Sequence, residues 1–169
     1  MTQNILYPFY IILFIGFTVL LFIVGCERQP THPRQPIDFS HKVHVGEYKI
    51  DCEYCHSGVR TGAVAGIPSV QTCMGCHQLV AATEPEIMKL RDIWERGEPI
   101  RWKRVNVVAD FVYFNHYPHV SEGISCETCH GDVGQKDELL PTPHLHSMTW
   151  CVDCHDTYEA SKDCLICHR

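Results

Sequence analysis

The chain has 169 residues, of which 11 are Cys and 12 are His, so two usually scarce residue types supply about a seventh of it. Its 14 basic and 20 acidic side chains, net −6, exclude the basic field needed to wrap nucleic acid. The 45% hydrophobic fraction is inflated by an apolar N-terminus and by the cysteines themselves, which leaves little for an ordinary core.

From Ile5 to Gly25 there is no charged side chain, and the first is Glu27. As a helix this stretch rises about 31 Å, close to the hydrocarbon thickness of a bilayer, which predicts a single-pass transmembrane anchor over residues 1–26. A cleaved signal peptide fits less well, because Met1 to Asn4 has no Lys or Arg. Ile23-Val-Gly-Cys26 also resembles a lipoprotein processing site, with Cys26 as the lipidated residue; a free thiol at the membrane surface is the plainer reading. Residues 27–38, with His32, read as a linker.

Phe39-Ser-His41-Lys-Val-His44 opens a module over 39–80, followed by Cys52-Glu-Tyr-Cys55-His56 and Cys73-Met-Gly-Cys76-His77. Residues 81–113 form a connecting segment without cysteine. There Thr83-Glu-Pro-Glu86 reads as a capping box, Ile87, Leu90 and Trp94 repeat at helical spacing, and Gly97 stops the run, predicting one amphipathic helix. A second module spans 114–169. It begins with Phe114-Asn-His116-Tyr-Pro-His119 and continues with Cys126-Glu-Thr-Cys129-His130, Pro143-His144-Leu-His146-Ser-Met148-Thr-Trp150, Cys151-Val-Asp-Cys154-His155 and Cys164-Leu-Ile-Cys167-His168.

Ten of the 11 cysteines thus fall into five copies of Cys-x-x-Cys-His. A zinc ribbon or a thiol oxidoreductase uses Cys-x-x-Cys but has no need of a His after every pair. Covalent attachment of a c-type haem does: two thiols one helical turn apart reach two vinyl groups on one porphyrin edge, and the adjacent imidazole lies under the iron. The motifs predict five haem c groups, with proximal ligands His56, His77, His130, His155 and His168. The 143 residues after Cys26 give about 29 per haem, too few for five pockets lined by side chains. The fold expected is a multihaem cytochrome c, with low secondary-structure content and short α-helices around five stacked haems that serve as the core.

The two aromatic-x-His-x-x-His segments form a repeat, each just ahead of an attachment motif, and each points two imidazoles in different directions from one turn of chain. This arrangement resembles the class III multihaem cytochromes. The resemblance implies His41 and His44 as distal ligands for the haems on Cys52/Cys55 and Cys73/Cys76. It likewise implies His116 and His119 for those on Cys126/Cys129 and Cys151/Cys154, and His146 fits its pattern for a fifth. The order of motifs is more specific. Ala65-Gly-Ile-Pro, Pro99-Ile-Arg-Trp, Asp110-Phe-Val-Tyr-Phe-Asn-His and Met148-Thr-Trp-Cys-Val-Asp-Cys-His closely resemble the pentahaem cytochrome subunit of alternative complex III, from about Pro36 to Arg169. That resemblance implies Met148 as the fifth distal ligand, with His146 and His144 as alternatives. A Met ligand raises the potential of its haem relative to bis-His neighbours.

Residues 89–104 hold six of the 14 basic side chains, a solvated face or a surface for propionates or a partner subunit. Val105 to His168 holds ten acidic residues against Lys136 and Lys162, a surface suited to steering a basic electron carrier. The resulting expectation is a subunit without catalytic residues of its own, anchored in the cell membrane with its haem domain on the extracytoplasmic (periplasmic) side. It would relay electrons from a quinol-oxidising complex to a soluble acceptor such as a cytochrome c or a copper protein. Expected neighbours are an iron–sulfur protein, quinone-binding membrane subunits and a monohaem cytochrome. A multihaem reductase with an open haem, or a free-standing quinol dehydrogenase, are the alternatives. The surplus of candidate distal ligands disfavours the first, and a single membrane helix makes a poor quinone pocket for the second.

Overall fold

A helical turn is the local structure that brings cysteines i and i+3 to one face, and every attachment motif takes it. The computed structural model describes residues 34–142 and 146–168. The helices are α1 (Cys52–Cys55), α2 (Val70–His77), α3 (Pro85–Glu95), α4 (His116–Ser121), α5 (Cys126–His130), α6 (Met148–Thr157) and α7 (Cys164–Cys167). A π-helical turn spans Lys42–Glu47, and 3-10 turns span Ser57–Arg60 and Val133–Gln135. Among the described residues the extended pairing is limited to an isolated antiparallel bridge between Val112 and His168. The expectation of short helices with little strand holds. The apolar stretch Ile5 to Gly25, together with Cys26, His32 and His144, lies outside the described residues. Among the described residues no helix is long and apolar enough to cross a membrane.

Small polar residues start these short helices by supplying acceptors for otherwise orphaned N–H groups. Asp51 accepts from Glu53 N–H at 2.8 Å, Asp163 from Leu165 N–H at 2.9 Å, and Ser147 Oγ from Trp150 N–H at 3.3 Å. The amphipathic helix is present as α3, with one correction at its start. Glu84, not Thr83, precedes the first helical residue, Pro85, and no side chain caps it. The Glu86 carboxylate expected to close a capping box instead accepts from Asp38 N–H at 2.9 Å and pairs with Lys89. At the other end Gly97 takes φ +66, and its N–H and that of Glu98 bond back to Trp94 O and Ile93 O at 3.0 and 3.1 Å. This double closure needs the left-handed residue that glycine supplies without strain.

The apolar stripe of α3 packs on α2. Leu90 and Met74 are 3% and 0% exposed and meet Ile37, with Ile87, Trp94 and Trp102 around them. Met74 is one of the two spacer residues of the second motif, so the helix roots itself in the core between its cysteines, with Cys73 packed against that core and Cys76 exposed. Away from this cluster Val59 is the other buried hydrophobic side chain among the described residues. So small an apolar interior matches the expected shortage of core.

Candidate functional site

Each aromatic-x-His-x-x-His segment folds as a clasp around its aromatic ring. Phe39 lies edge-on to His41 at 4.9 Å between ring centres and stacked with His44 at 4.3 Å. Phe114 repeats this with His116 at 4.8 Å and His119 at 4.7 Å. In both clasps the second imidazole bonds back one turn, His44 Nδ1 to Ser40 O and His119 Nδ1 to Asn115 O, each at 2.8 Å. The repeat read from the sequence is therefore a repeat of geometry.

Those Nδ1 bonds have a chemical consequence. A carbonyl can only accept, so Nδ1 carries a proton, and the neutral ring then presents a bare Nε2 lone pair. The same device recurs at the motif histidines: His56 Nδ1 donates to Gly66 O at 2.7 Å, His77 to Val80 O at 3.1 Å, His155 to Ser161 O at 2.6 Å and His168 to Phe111 O at 3.3 Å. His116 Nδ1 donates to Ala63 O at 2.8 Å. These bonds fix tautomer and orientation as metal-bound imidazoles require.

The imidazoles also meet in pairs. His44 and His77 have ring centres 5.9 Å apart, His119 and His155 6.0 Å, and His116 and His130 6.5 Å with planes within 12° of parallel. Two imidazoles that share one iron through Nε2 have centres about 6 Å apart, from a metal–nitrogen bond of about 2 Å and about 1 Å more to each ring centre. The donor set and its spacing therefore fit a haem iron. His41 lies beside His56, and burial first, then the charges of His56 and His44, lower its pKa to about 4. It is a neutral base at ordinary pH.

His146, an alternative to Met148 for the fifth site, lies 5.8 Å from His130 and 5.8 Å from Trp150, so His130 faces two candidate partners. Burial, then His146 and His116, lower the His130 pKa. Met148, the first residue of α6, is 68% exposed. His168 is held by the bridge to Val112 and by Phe111, whose ring centre is 5.7 Å away.

The thiols of the five motifs lie close to one another across motifs. Burial raises the Cys55 thiol pKa, with Cys76 adding to it, and raises that of Cys73, with Cys55 adding. Burial likewise raises Cys129, beside Cys154, and Cys151, beside Cys167. None of the ten motif cysteines is in a disulfide. Among the described residues no three His, Cys, Asp or Glu side chains converge as a metal-ion cluster would require. Within each motif the two thiols leave a single helical turn, the arrangement that two thioether links per porphyrin need. What the sequence did not reveal is the set of backbone carbonyls that orient the histidines, since any residue can supply one. Of the basic residues at 89–104, Lys89 and Arg96 are in local ion pairs, Arg96 with Asp92 and with Glu98 at 3.3 Å. Exposed pairs of this kind contribute little to stability.

The family model for class III cytochromes c matches residues 24–101, and that for cytochrome c7 and related cytochromes c matches residues 112–169. The chain is also 30% identical over 187 positions to the menaquinone reductase multihaem cytochrome c subunit of Nitratidesulfovibrio vulgaris, across 92% of this chain and 88% of that protein. On these matches, and on motifs and paired imidazoles that agree with them, the chain belongs to the class III-like multihaem cytochrome c family.

Proposed function

We propose that the chain is the electron-transfer subunit of a quinone-linked membrane complex, carrying five haem c groups on the extracytoplasmic side. The observation that carries this reading is the set of imidazole pairs 5.9 to 6.5 Å apart with Nδ1 engaged, an arrangement suited to six-coordinate, low-spin iron. When bound, each haem supplies one-electron exchange between ferric and ferrous iron. The chain's own part is to fix the ligands: His41 with His56, His44 with His77, His116 with His130, and His119 with His155. The position of His146 beside His130 makes it a second candidate there, leaving Met148 and His144 for the iron above His168. With each proximal histidine matched by a candidate, a wire is favoured over a reductase with an open haem.

The motif order supports placement beside a quinol-oxidising complex of the alternative complex III type, with iron–sulfur and quinone-binding membrane subunits and a soluble acceptor. A second direction is supported by the relative from N. vulgaris, which is named for menaquinone reduction. In that case electrons enter from a soluble donor and leave toward the quinone. The apolar stretch Ile5 to Gly25 supports a membrane anchor in either case.

Purification in mild detergent, with identification of the accompanying subunits and a pyridine haemochrome count, tests the reading. Five haems per chain, low-spin spectra and co-purifying quinone-binding subunits are expected. Fewer than five haems, or a high-spin haem that binds nitrite, would overturn it. Quinol oxidation against quinone reduction by the purified complex decides the direction.

A further inference from the structure

In chain order the third attachment site follows the second, so a route in sequence order would pass between the halves of the molecule from Cys73/Cys76 to Cys126/Cys129. The structure joins the halves elsewhere. Residues 61–66 form a loop that holds a candidate ligand from each half. Gly66 O accepts from His56 Nδ1 at 2.7 Å, and three residues earlier Ala63 O accepts from His116 Nδ1 at 2.8 Å and from its backbone N–H at 3.3 Å. Gly58 sets the loop's position: its N–H donates to Ala65 O at 2.9 Å, and a Cβ there would lie 2.5 Å from Val64 O and 2.9 Å from Ala65 O.

A second contact joins the same two sites. The π-helical turn Lys42–Glu47 that follows His41 packs on the 3-10 turn Val133–Gln135 that follows His130. Lys42 N–H donates to Lys136 O at 3.0 Å, Ser40 Oγ to Asp137 at 2.9 Å, and a Cβ on Gly46 would lie 2.2 Å from Gly134 O. The Cys52 and Cys126 thiols are neighbours as well. The second site, by contrast, is built on α2, which packs on α3.

We propose that, given the haem-bearing reading above, electrons pass between the halves from the first site to the third, with the 61–66 loop as the positioning element for both, and that the second site is one end of the route. Each passage oxidises one site and reduces the other by one electron, and no atom is transferred. The carbonyl bond to Nδ1 increases the basicity of Nε2 and so favours the oxidised metal. A loop that supplies this bond at both sites sets their two potentials together. Beyond the third site, α4 carries His119 to His155 at 6.0 Å and so leads to the fourth.

The test is Gly58→Ala in the full haem-loaded chain, with each haem assigned by nuclear Overhauser contacts to its axial rings. The added methyl displaces the loop carbonyls. Both the first and the third haem are expected to shift to more positive midpoint potential and to change their EPR g-values, while the second, fourth and fifth hold. A shift at only one of the pair, or a joint shift of the second and third, would overturn the proposal. Should this variant fail to load haem, an NMR-monitored redox titration of the wild type decides. Oxidation of the first haem must shift the midpoint of the third more than oxidation of the second does, and the reverse ranking sinks the junction. A wild-type chain with fewer than five haems would instead strike the electron-transfer reading itself.

Discussion

The two halves of the haem-binding region solve the same problem with different resources. Residues 34–101 carry two attachment motifs and have the α2–α3 pair, with Ile37, Met74 and Leu90 buried between them. Residues 105–168 carry three motifs, and among the described residues there no hydrophobic side chain is buried. Both use the same clasp, with Phe39 or Phe114 against two imidazoles. The difference lies in what surrounds it. One half adds a side-chain core to the porphyrins, whereas the other, among its described residues, has porphyrins, ring contacts, caps and backbone bonds without such a core. Dependence on the cofactor should therefore be graded along the chain, because attachment and folding are coupled more tightly where less apolar surface can be buried without it.

The largest break in this comparison comes from removing an attachment site in each half. Cys126→Ala with Cys129→Ala is expected to abolish protease resistance across residues 105–168. Cys73→Ala with Cys76→Ala should leave α3 protected, because its apolar stripe still has Met74 and Ile37 to meet. Limited proteolysis with mass mapping reads both. Equal loss of protection in the two variants would erase the distinction.

A smaller effect sharpens the same comparison from the side-chain end. Leu90→Ala removes a nearly fully buried side chain and should destabilise the first half by about 2–5 kcal/mol. In denaturant titrations of the holo-protein, spectra of the haems on Cys52/Cys55 and Cys73/Cys76 should lose low-spin character first. A uniform loss at all haems would show that the two halves unfold as one unit.

The smallest effect concerns protonation within the first clasp. The His41 pKa is lowered to about 4 by burial and by His56 and His44, so its neutral, ligating form persists above that pH and is lost as pH falls through it. An ordinary imidazole, with a pKa of about 6.5, protonates well before that point. Because iron also competes with the proton for Nε2, acid titration followed at a high-spin absorbance band should show the first haem keeping its distal ligand down to at least about pH 4. Release near the ordinary value would remove His41 from that role.

Much of the site was legible because its chemistry demands particular residues at fixed spacing. A thiol pair one turn apart followed by His can be read directly, and so can Phe-x-His-x-x-His, since the ring and both imidazoles lie within one turn. The α3 stripe and its Gly97 stop were legible for the same local reason. The cap of α3 was misplaced by one residue because the Glu86 carboxylate has a competing long-range partner in Asp38 N–H. His146 stands with His144 as an alternative to Met148 for the fifth site by its place before Cys151, and tertiary folding sets it 5.8 Å from His130.

The sequence by itself determined the haem c chemistry, the five Cys-x-x-Cys-His motifs and the helical character of each motif, because these rest on covalent and one-turn geometry. Only the tertiary structure decided which imidazoles face each other, which carbonyls set their tautomers, and that the first site adjoins the third. Those choices depend on loop closure between residues more than fifty positions apart, such as Ala63 and His116, made through backbone groups that every residue type carries.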